Sequence, residues 1–337
     1  RLTERAAGEL PALTLVSAPA GFGKTTLLAE WTARTAGDDR RMAWLSLDAN
    51  DNDPVAFWTY VLAALQKVVP EAGADASSLL RASQPTTSVV SSLLNELADV
   101  AGEVVLVIDD FHVIESTDVH ESVAFLVDHL PPQVHLVIAS RADPPLPLAR
   151  LRARGELLEV RAADLRFTVD EATTYFNESM GLALEPADVG ALEARTEGWA
   201  AALQLAALSM QGRDDPAGFV AQFAGDDRFV VDYLAEEVLE RQPEDVRRFL
   251  LETSILDRFT GASCDAVTGG DHGKAMLEQL DRANLFLVAL DDRRLWYRYH
   301  HLFADVLRAR LIDEDPDRVD ELHRRASAWH EGAGDQA

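Results

Sequence analysis

The run Ala18-Pro19-Ala20-Gly21-Phe22-Gly23-Lys24-Thr25-Thr26 sets a lysine and a hydroxyl directly after a glycine-rich turn. Its spacing fits the phosphate-binding loop G-x-x-x-x-G-K-[ST] at every position except the first, where Ala18 replaces Gly. That loop needs backbone N–H groups turned around a β-phosphate, close approach at Gly23, Lys24 against the β/γ charge, and the Thr25 hydroxyl on Mg²⁺. Ala20, Gly21, Phe22, Gly23, Lys24, Thr25 and Thr26 are therefore candidate ATP/ADP-binding residues. Asp109 and Asp110 close the apolar run VVLVI, and a carboxylate there is what places Mg²⁺ in NTPases of this kind. Thr25 and Asp109 are the expected metal residues. Asp110 is the candidate for orienting an attacking water, with simple solvent exposure as the alternative. Arg141 follows VHLVIAS, where a cation at the end of a strand can sense a γ-phosphate beside the nucleotide crevice of an open sheet. Lys24, Asp109, Asp110 and Arg141 make up the candidate catalytic set.

Such residues need a sheet to hold them. Apolar runs at Leu13 to Ala18, Met42 to Leu47, Val104 to Asp110, Val134 to Ser140 and Leu157 to Val160 alternate with helical patterns, which predicts a three-layer α/β domain with a parallel sheet. Helices are expected at Pro54 to Val68, with Asp53 as cap, and at Ser88 to Ala101. After Val160 helices take over. Thr168 and Glu171 form a capping box opening a helix through Met180, and further helices follow at Ala187 to Thr196 and Ala200 to Met210. The polar connection QGRDDPAG precedes a second group at Phe229 to Arg241, Glu244 to Leu256, Ala262 to Val267 and Lys274 to Asn284. The stretch LFLVALDDRRLWYRYHHLF then reads as a hairpin, so that helices followed by a hairpin suggest a winged helix. From Pro316 another amphipathic helix starts, and GAGDQA reads as the cut edge of a longer protein.

Other patterns are weaker. DANDNDP, Asp48 to Pro54, has the alternation of a Ca²⁺ loop but Asp53 and Thr59 where Gly and Glu are needed, so it reads as a turn and cap. His300 and His301 are adjacent, point to opposite faces of a strand, and have no cysteine near to complete a metal site. Arg150, Arg152 and Arg154 read as a solvated basic helix or loop. The chain has 337 residues and a net charge of −26, with three lysines against 28 arginines. Such acidity argues against wrapping nucleic acid. No apolar run approaches the roughly 18 residues of a membrane span. The single cysteine, Cys264, excludes an internal disulfide and fits a reducing compartment, so the cytoplasm is the expected location.

In order along the chain, APAGFGKTT, WLSLDANDNDPVAFW, VLVIDDFH, IASRADPPLPLARLRARGEL, LRFTVDEA, TEGWAAALQLAALS and YRYHHLF resemble the MalT-like branch of the STAND ATPases, which are LuxR-family transcription regulators. The resemblance implies a P-loop nucleotide-binding domain at 1–165, a helical domain at 166–225, a winged-helix domain at 226–312 and the start of a helical, TPR-like segment at 313–337. It implies that Asp109 is the Walker B acid, that Arg141 reads the γ-phosphate and that His300 reaches the β-phosphate of ADP. Gly198-Trp199-Ala200 stands where the wider class has Gly-x-Pro beside the adenine, which makes Trp199 a candidate nucleotide residue. The implied function is an ATP/ADP switch with slow hydrolysis, closed with ADP and able to self-associate with ATP. Its inducer would act through a C-terminal sensor, and DNA through a C-terminal helix-turn-helix, both absent from this chain; no membrane is involved. Two alternatives stay open: a freely cycling P-loop ATPase of motor or AAA type, and a winged helix that itself reads DNA through Arg293, Arg294 and Arg298.

Overall fold

A computed structural model of the chain describes residues 10–35, 40–211, 215–223, 228–291 and 293–333. Its contacts divide into two compact units: residues 1–18 with 23–165, and residues 19–22 with 166–337. Parts of the connection QGRDDPAG, the hairpin residue Asp292 and the final residues of GAGDQA lie outside the described residues.

In the first unit, β1 (Leu13–Ser17), β2 (Arg41–Ser46), β3 (Val104–Asp109), β4 (Val134–Ser140) and β5 (Leu157–Arg161) form one sheet in the order β2-β3-β4-β1-β5. Every pairing is parallel. All residues of β1, β3 and β4 are buried, so both faces of the sheet centre are covered. The helices are α1 (Lys24–Thr35), α2 (Pro54–Gln66), α3 (Ala74–Arg81), α4 (Thr86–Ala98), α5 (Thr117–Asp128), α6 (Leu148–Arg154) and the short α7 (Ala162–Leu165). One core joins Leu15, Leu106 and Ile138 of the sheet to Trp58 of α2, Leu93 of α4 and Val123 of α5. Each such side chain stabilises the fold by about 1.5–3 kcal/mol. The Trp58 indole N–H donates to Ser122 Oγ at 3.0 Å, so its one polar atom is satisfied inside this core.

The strand order decides where chemistry can occur. β4 lies between β1 and β3, and neighbouring strands are about 4.8 Å apart. The carboxyl ends of β1, β4 and β3 therefore stand side by side. They lead respectively into the glycine-rich turn, Arg141 and Asp110.

The second unit contains α8 (Val169–Thr174), α9 (Pro186–Thr196), α10 (Ala200–Met210), α11 (Pro216–Gln222), α12 (Arg228–Leu234), α13 (Glu244–Thr253), α14 (Gly261–Thr268) and α15 (Gly273–Arg282). An antiparallel pair, β6 (Leu287–Ala289) and β7 (Tyr297–Tyr299), then leads into α16 (His301–Glu314) and α17 (Pro316–Ala333). Phe259 bridges Tyr297, extending the wing by one rung. Phe259, Cys264, Leu280 and Phe303 are buried around it, and the buried Tyr299 hydroxyl shares a 2.7 Å hydrogen bond with Thr253 Oγ1.

Several expectations change in detail. The helix opened by Thr168 runs α-helical only to Thr174 and then takes one π-helical turn over Tyr175–Ser179. The helix expected at Phe229 to Arg241 likewise passes into a π turn at Ala235–Leu239. Asp110 leaves the strand for a left-handed conformation at φ 57°. His300 and His301 do not lie on opposite faces of a strand. β7 ends at Tyr299, His300 is the N-cap of α16 and His301 its first residue, because the wing strand is only three residues long. The DANDNDP stretch is a cap, as the sequence predicts: Asp48 and Asp51 form a capping box, and the Asp53 carboxylate accepts from the Ala56 N–H at 2.9 Å.

Candidate functional site

Lys24 opens α1, and its burial is nearly complete, with 7% of its surface exposed. The ammonium donates to the Ala18 carbonyl at 2.8 Å, so the side chain folds back over the turn that precedes it. Burial, then the Arg141 charge, lower its pKa to about 8, while Asp110 and Asp109 oppose that fall. A cation held in this way gains from any incoming anion that replaces lost hydration. Asp109, at the end of β3, is 1% exposed. Burial raises its pKa against the hydrogen bond from Thr25, which ties the first turn of α1 to β3. Thr25 itself is exposed. The Asp110 N–H donates back to Asp109 Oδ1 at 2.9 Å, fixing that carboxylate from the other side.

The first unit thus brings Lys24, Thr25, Asp109, Asp110 and Arg141 together. Arg141 acts on Lys24 electrostatically, and its backbone is pinned on both flanks. On one flank the Ser140 hydroxyl donates to the Ala142 carbonyl. On the other, Asp143 accepts from Ser17 Oγ at 2.8 Å and from the Arg161 guanidinium. Arg161 also binds Glu159, whose carboxyl is held down to about 2 by Arg152 and by Arg161, against the effect of burial. Ser17, Asp143 and Arg161 were not singled out in the sequence; Asp143, two residues past Arg141, carried the only local signal.

The residues fit a nucleotide phosphate and its cation. A Cβ built on Gly23, at φ +77°, meets nothing within 4 Å, so the turn is open on that side. Thr25 and Asp109 supply hard oxygen donors of the kind Mg²⁺ takes. Arg150, Arg152 and Arg154 pair at the surface with Asp128, Glu159 and Glu156, and Arg152 shares Glu159 with Arg161.

In the second unit, residues 19–22 pack with the helical portion. Trp199 is fully buried, and its indole N–H donates to the Ala20 carbonyl at 3.1 Å. Gly21 accepts from the Ala201 N–H at 3.0 Å, and a Cβ there would lie 2.6 Å from Ala201 Cβ, so only glycine fits. Phe22, Trp199 and Phe286 cluster in tilted and edge-to-face contacts, with ring centroids 5.0–6.4 Å apart. Trp199 therefore gives its one polar atom to the Ala20 carbonyl inside an aromatic cluster.

His300 stands against the same aromatic group, edge-on to Trp199 and Phe286. It is 2% exposed, and Nε2 lies 2.9 Å from the Thr196 carbonyl. Its Nδ1 is buried with no hydrogen-bond partner among the described residues. Burial lowers the ring's pKa to about 4, although Glu197 and the Thr196 carbonyl favour protonation. Glu197, in a left-handed conformation at φ 49°, accepts two hydrogen bonds from Arg298 at 2.7 and 3.0 Å and one from the His301 N–H at 3.2 Å. Arg166 adds a contact at 3.2 Å. Burial pushes this carboxyl up, but Arg298, His300 and the His301 N–H outweigh it and hold it at about 2. Sequence reading passed over Glu197, although it precedes Gly198-Trp199. Arg298 and Arg294, candidates for DNA contact, are committed to Glu197 and Asp281. Among the described residues no helix is long and apolar enough to cross a membrane, and no cluster of three or more His, Cys, Asp or Glu residues is arranged to hold a metal.

Residues 1–139 match the family model for an AAA ATPase domain, and residues 235–319 match the MalT winged helix domain. The chain is 38% identical over 325 residues to serine/threonine-protein kinase PknK of Mycobacterium tuberculosis, covering 96% of this chain and 29% of that protein. It is 35% identical over 326 residues to the HTH-type transcriptional regulator MalT of Vibrio cholerae, covering 95% of this chain and 36% of the regulator. The chain thus spans about a third of the length of these curated relatives. AMPPCP-bound DnaA from Aquifex aeolicus aligns with 97% of this chain and 91% of its own at 13% identity, with a TM-score of 0.42, too low to add to the argument. Residues 1–139 thus carry an AAA ATPase domain and residues 235–319 a MalT winged helix domain, and over almost its whole length the chain is similar to a segment of PknK and of the MalT regulators.

Proposed function

We propose that this segment is the ATP/ADP-binding switch of a signal-responsive transcription regulator acting in the cytoplasm. It is closed with ADP, able to self-associate with ATP, and slow in hydrolysis. The observation that carries the reading is the buried, unpartnered Nδ1 of His300. A buried polar atom without a partner costs roughly 1–3 kcal/mol, which a bound phosphate oxygen would remove once that nitrogen carries a proton. A freely cycling ATPase has no evident use for such a group.

In this reading Lys24 and the backbone of Gly21 to Thr26 bind the phosphates, and Thr25 with Asp109 holds Mg²⁺. When bound, the metal would neutralise phosphate charge. Asp110 orients water. Arg141 reads the γ-phosphate and His300 the diphosphate, so ATP and ADP favour different states. Reversing a 1:99 population takes about 5.5 kcal/mol of differential binding. Several charge-assisted bonds reach that sum. Residues 166–225 act as the helical portion, 226–312 as the winged helix and 313–337 as the start of a TPR-like segment. Inducer and DNA act through a sensor and a LuxR-type helix-turn-helix outside this chain. That both a kinase and transcription regulators contain a similar segment supports a portable switch, with the output lying elsewhere.

The test is to purify the chain without added nucleotide, denature it, and identify what it carried, beside His300→Ala. Stoichiometric ADP in the parent and its loss from the folded variant is the expected result. Empty sites with equal, brisk ATP turnover in both proteins would overturn the switch in favour of the cycling ATPase.

A further inference from the structure

The bonding of His300 limits how it can meet a phosphate. The Thr196 carbonyl can only accept, so Nε2 must carry a hydrogen. A neutral imidazole has one N–H, which leaves Nδ1 in the free chain as a bare, buried lone pair. A phosphate oxygen is also an acceptor. Two acceptors, one on each ring nitrogen, are both satisfied only by the doubly protonated ring. Turning the ring off Thr196 is opposed by Trp199 and Phe286, which stand edge-on to it with centroids 5.9 and 5.8 Å away.

The charge of such a ring needs support. The charged groups acting on it are Glu197, Arg298 and Arg166, and His301 lies beside them on Glu197. Arg298 and Arg166 oppose a cation, and Glu197 alone favours one. Glu197 is also the residue whose neighbour's carbonyl orients Nε2, and its carboxylate fixes Arg298 and the first N–H of α16. Without an anion, burial keeps the ring neutral at pH 7.

We propose that a nucleotide diphosphate binds at His300 with uptake of one proton from solvent onto Nδ1, and that Glu197 is the positioning residue that makes this imidazolium tolerable. The inference rests on the reading of His300 as a diphosphate contact. It makes ADP retention fall as pH rises through the pKa that the ring acquires in the complex.

The experiment is calorimetric titration of nucleotide-stripped chain with ADP at several pH values between 6 and 8.5, in two buffers of unlike ionisation heat, which gives protons taken up per ADP. Wild type, His300→Gln and Glu197→Gln are compared, so that titration of ADP itself and of Lys24 cancels in the difference. Nitrogen-15 spectra of the imidazoles are recorded with and without ADP. Expected is an uptake approaching one proton more in wild type than in His300→Gln, with His300 changing from one protonated nitrogen to two. In Glu197→Gln the midpoint of that excess shifts to lower pH. If ADP binds His300→Gln more weakly yet with the same proton count as wild type, and the His300 ring stays neutral in the complex, the proposal fails while the diphosphate contact stands. Equal ADP affinity in wild type and His300→Gln removes both. An unshifted midpoint in Glu197→Gln refutes the role of Glu197. The wild-type proton count and ring spectrum need no variant, so misfolding of either substitution leaves the proposal open to refutation.

Discussion

The γ-phosphate role proposed for Arg141 requires the turn that carries it to be held still, and what holds that turn is a set of residues far apart in sequence. Asp143 receives Ser17 Oγ from the end of β1 and Arg161 from the end of β5, so the segment after β4 is anchored to β1 and to β5 beyond it. Removing the Asp143 charge leaves Arg161 with Glu159 and frees the turn that carries Arg141. Asp143→Asn should leave ADP affinity within about twofold and cut the preference for ATP over ADP by about tenfold, the worth of one charge-assisted hydrogen bond. Competition titrations of both nucleotides against a fluorescent analogue give the two numbers. An unchanged ratio would show that Arg141 keeps its place without Asp143. Lys24, Thr25, Asp109 and Arg141 were legible because each is local: a loop spacing, or a charge at the end of an apolar run. Ser17, Asp143 and Arg161 were not, since partners separated by 126 and 18 residues leave no periodic trace.

Elements were legible where burial wrote a period into the sequence. All five strands of the sheet fall within a residue or two of their apolar runs. α3 was missed, because its first turn is capped from α4: the Glu96 carboxylate accepts from the Ala74 and Ala76 N–H groups at 2.8 and 3.1 Å. A cap brought from another helix has no sequence signature at the helix it serves. The hairpin expected in LFLVALDDRRLWYRYHHLF is present, but each strand is three residues long and the last residues of that run, His301 to Phe303, open α16 instead. That placement makes the junction of α9, β7 and α16 sensitive to acid. His300 takes a proton near pH 6.5 when unfolded but only near 4 when folded, so the unfolded chain binds more protons and stability falls as pH drops between those values. At pH 5 the loss is on the order of 2 kcal/mol. Glu197, ordinarily near 4.5 and held at about 2, adds to the loss only below about pH 4.5. The melting temperature of nucleotide-free chain should therefore fall between pH 7 and pH 5, and the fall should be smaller in His300→Gln. Parallel pH profiles for the two proteins would remove His300 as the cause.

Encounters between whole molecules are governed by a net charge of −26 on each. Many arginines are already committed to carboxylates within the chain, as with Arg298 on Glu197, Arg318 on Glu252 and Arg308 on Asp257. Two copies that approach in the ATP state repel one another over the screening length, which shortens from about 30 Å at 0.01 M salt to about 8 Å at 0.15 M. The self-association proposed for the ATP state should consequently strengthen as salt rises over that range, opposite to the behaviour of a complex steered together by unlike charges. Duplex DNA provides the contrast, since contacts to phosphate weaken steeply with salt. Sedimentation velocity with ATP at the two salt concentrations measures the effect. A larger associated fraction at 0.15 M means that the copies meet through apolar or hydrogen-bonded surfaces against their net repulsion. A smaller one means that a local pairing of opposite charges outweighs the global field, with arginines of one copy facing carboxylates of the other.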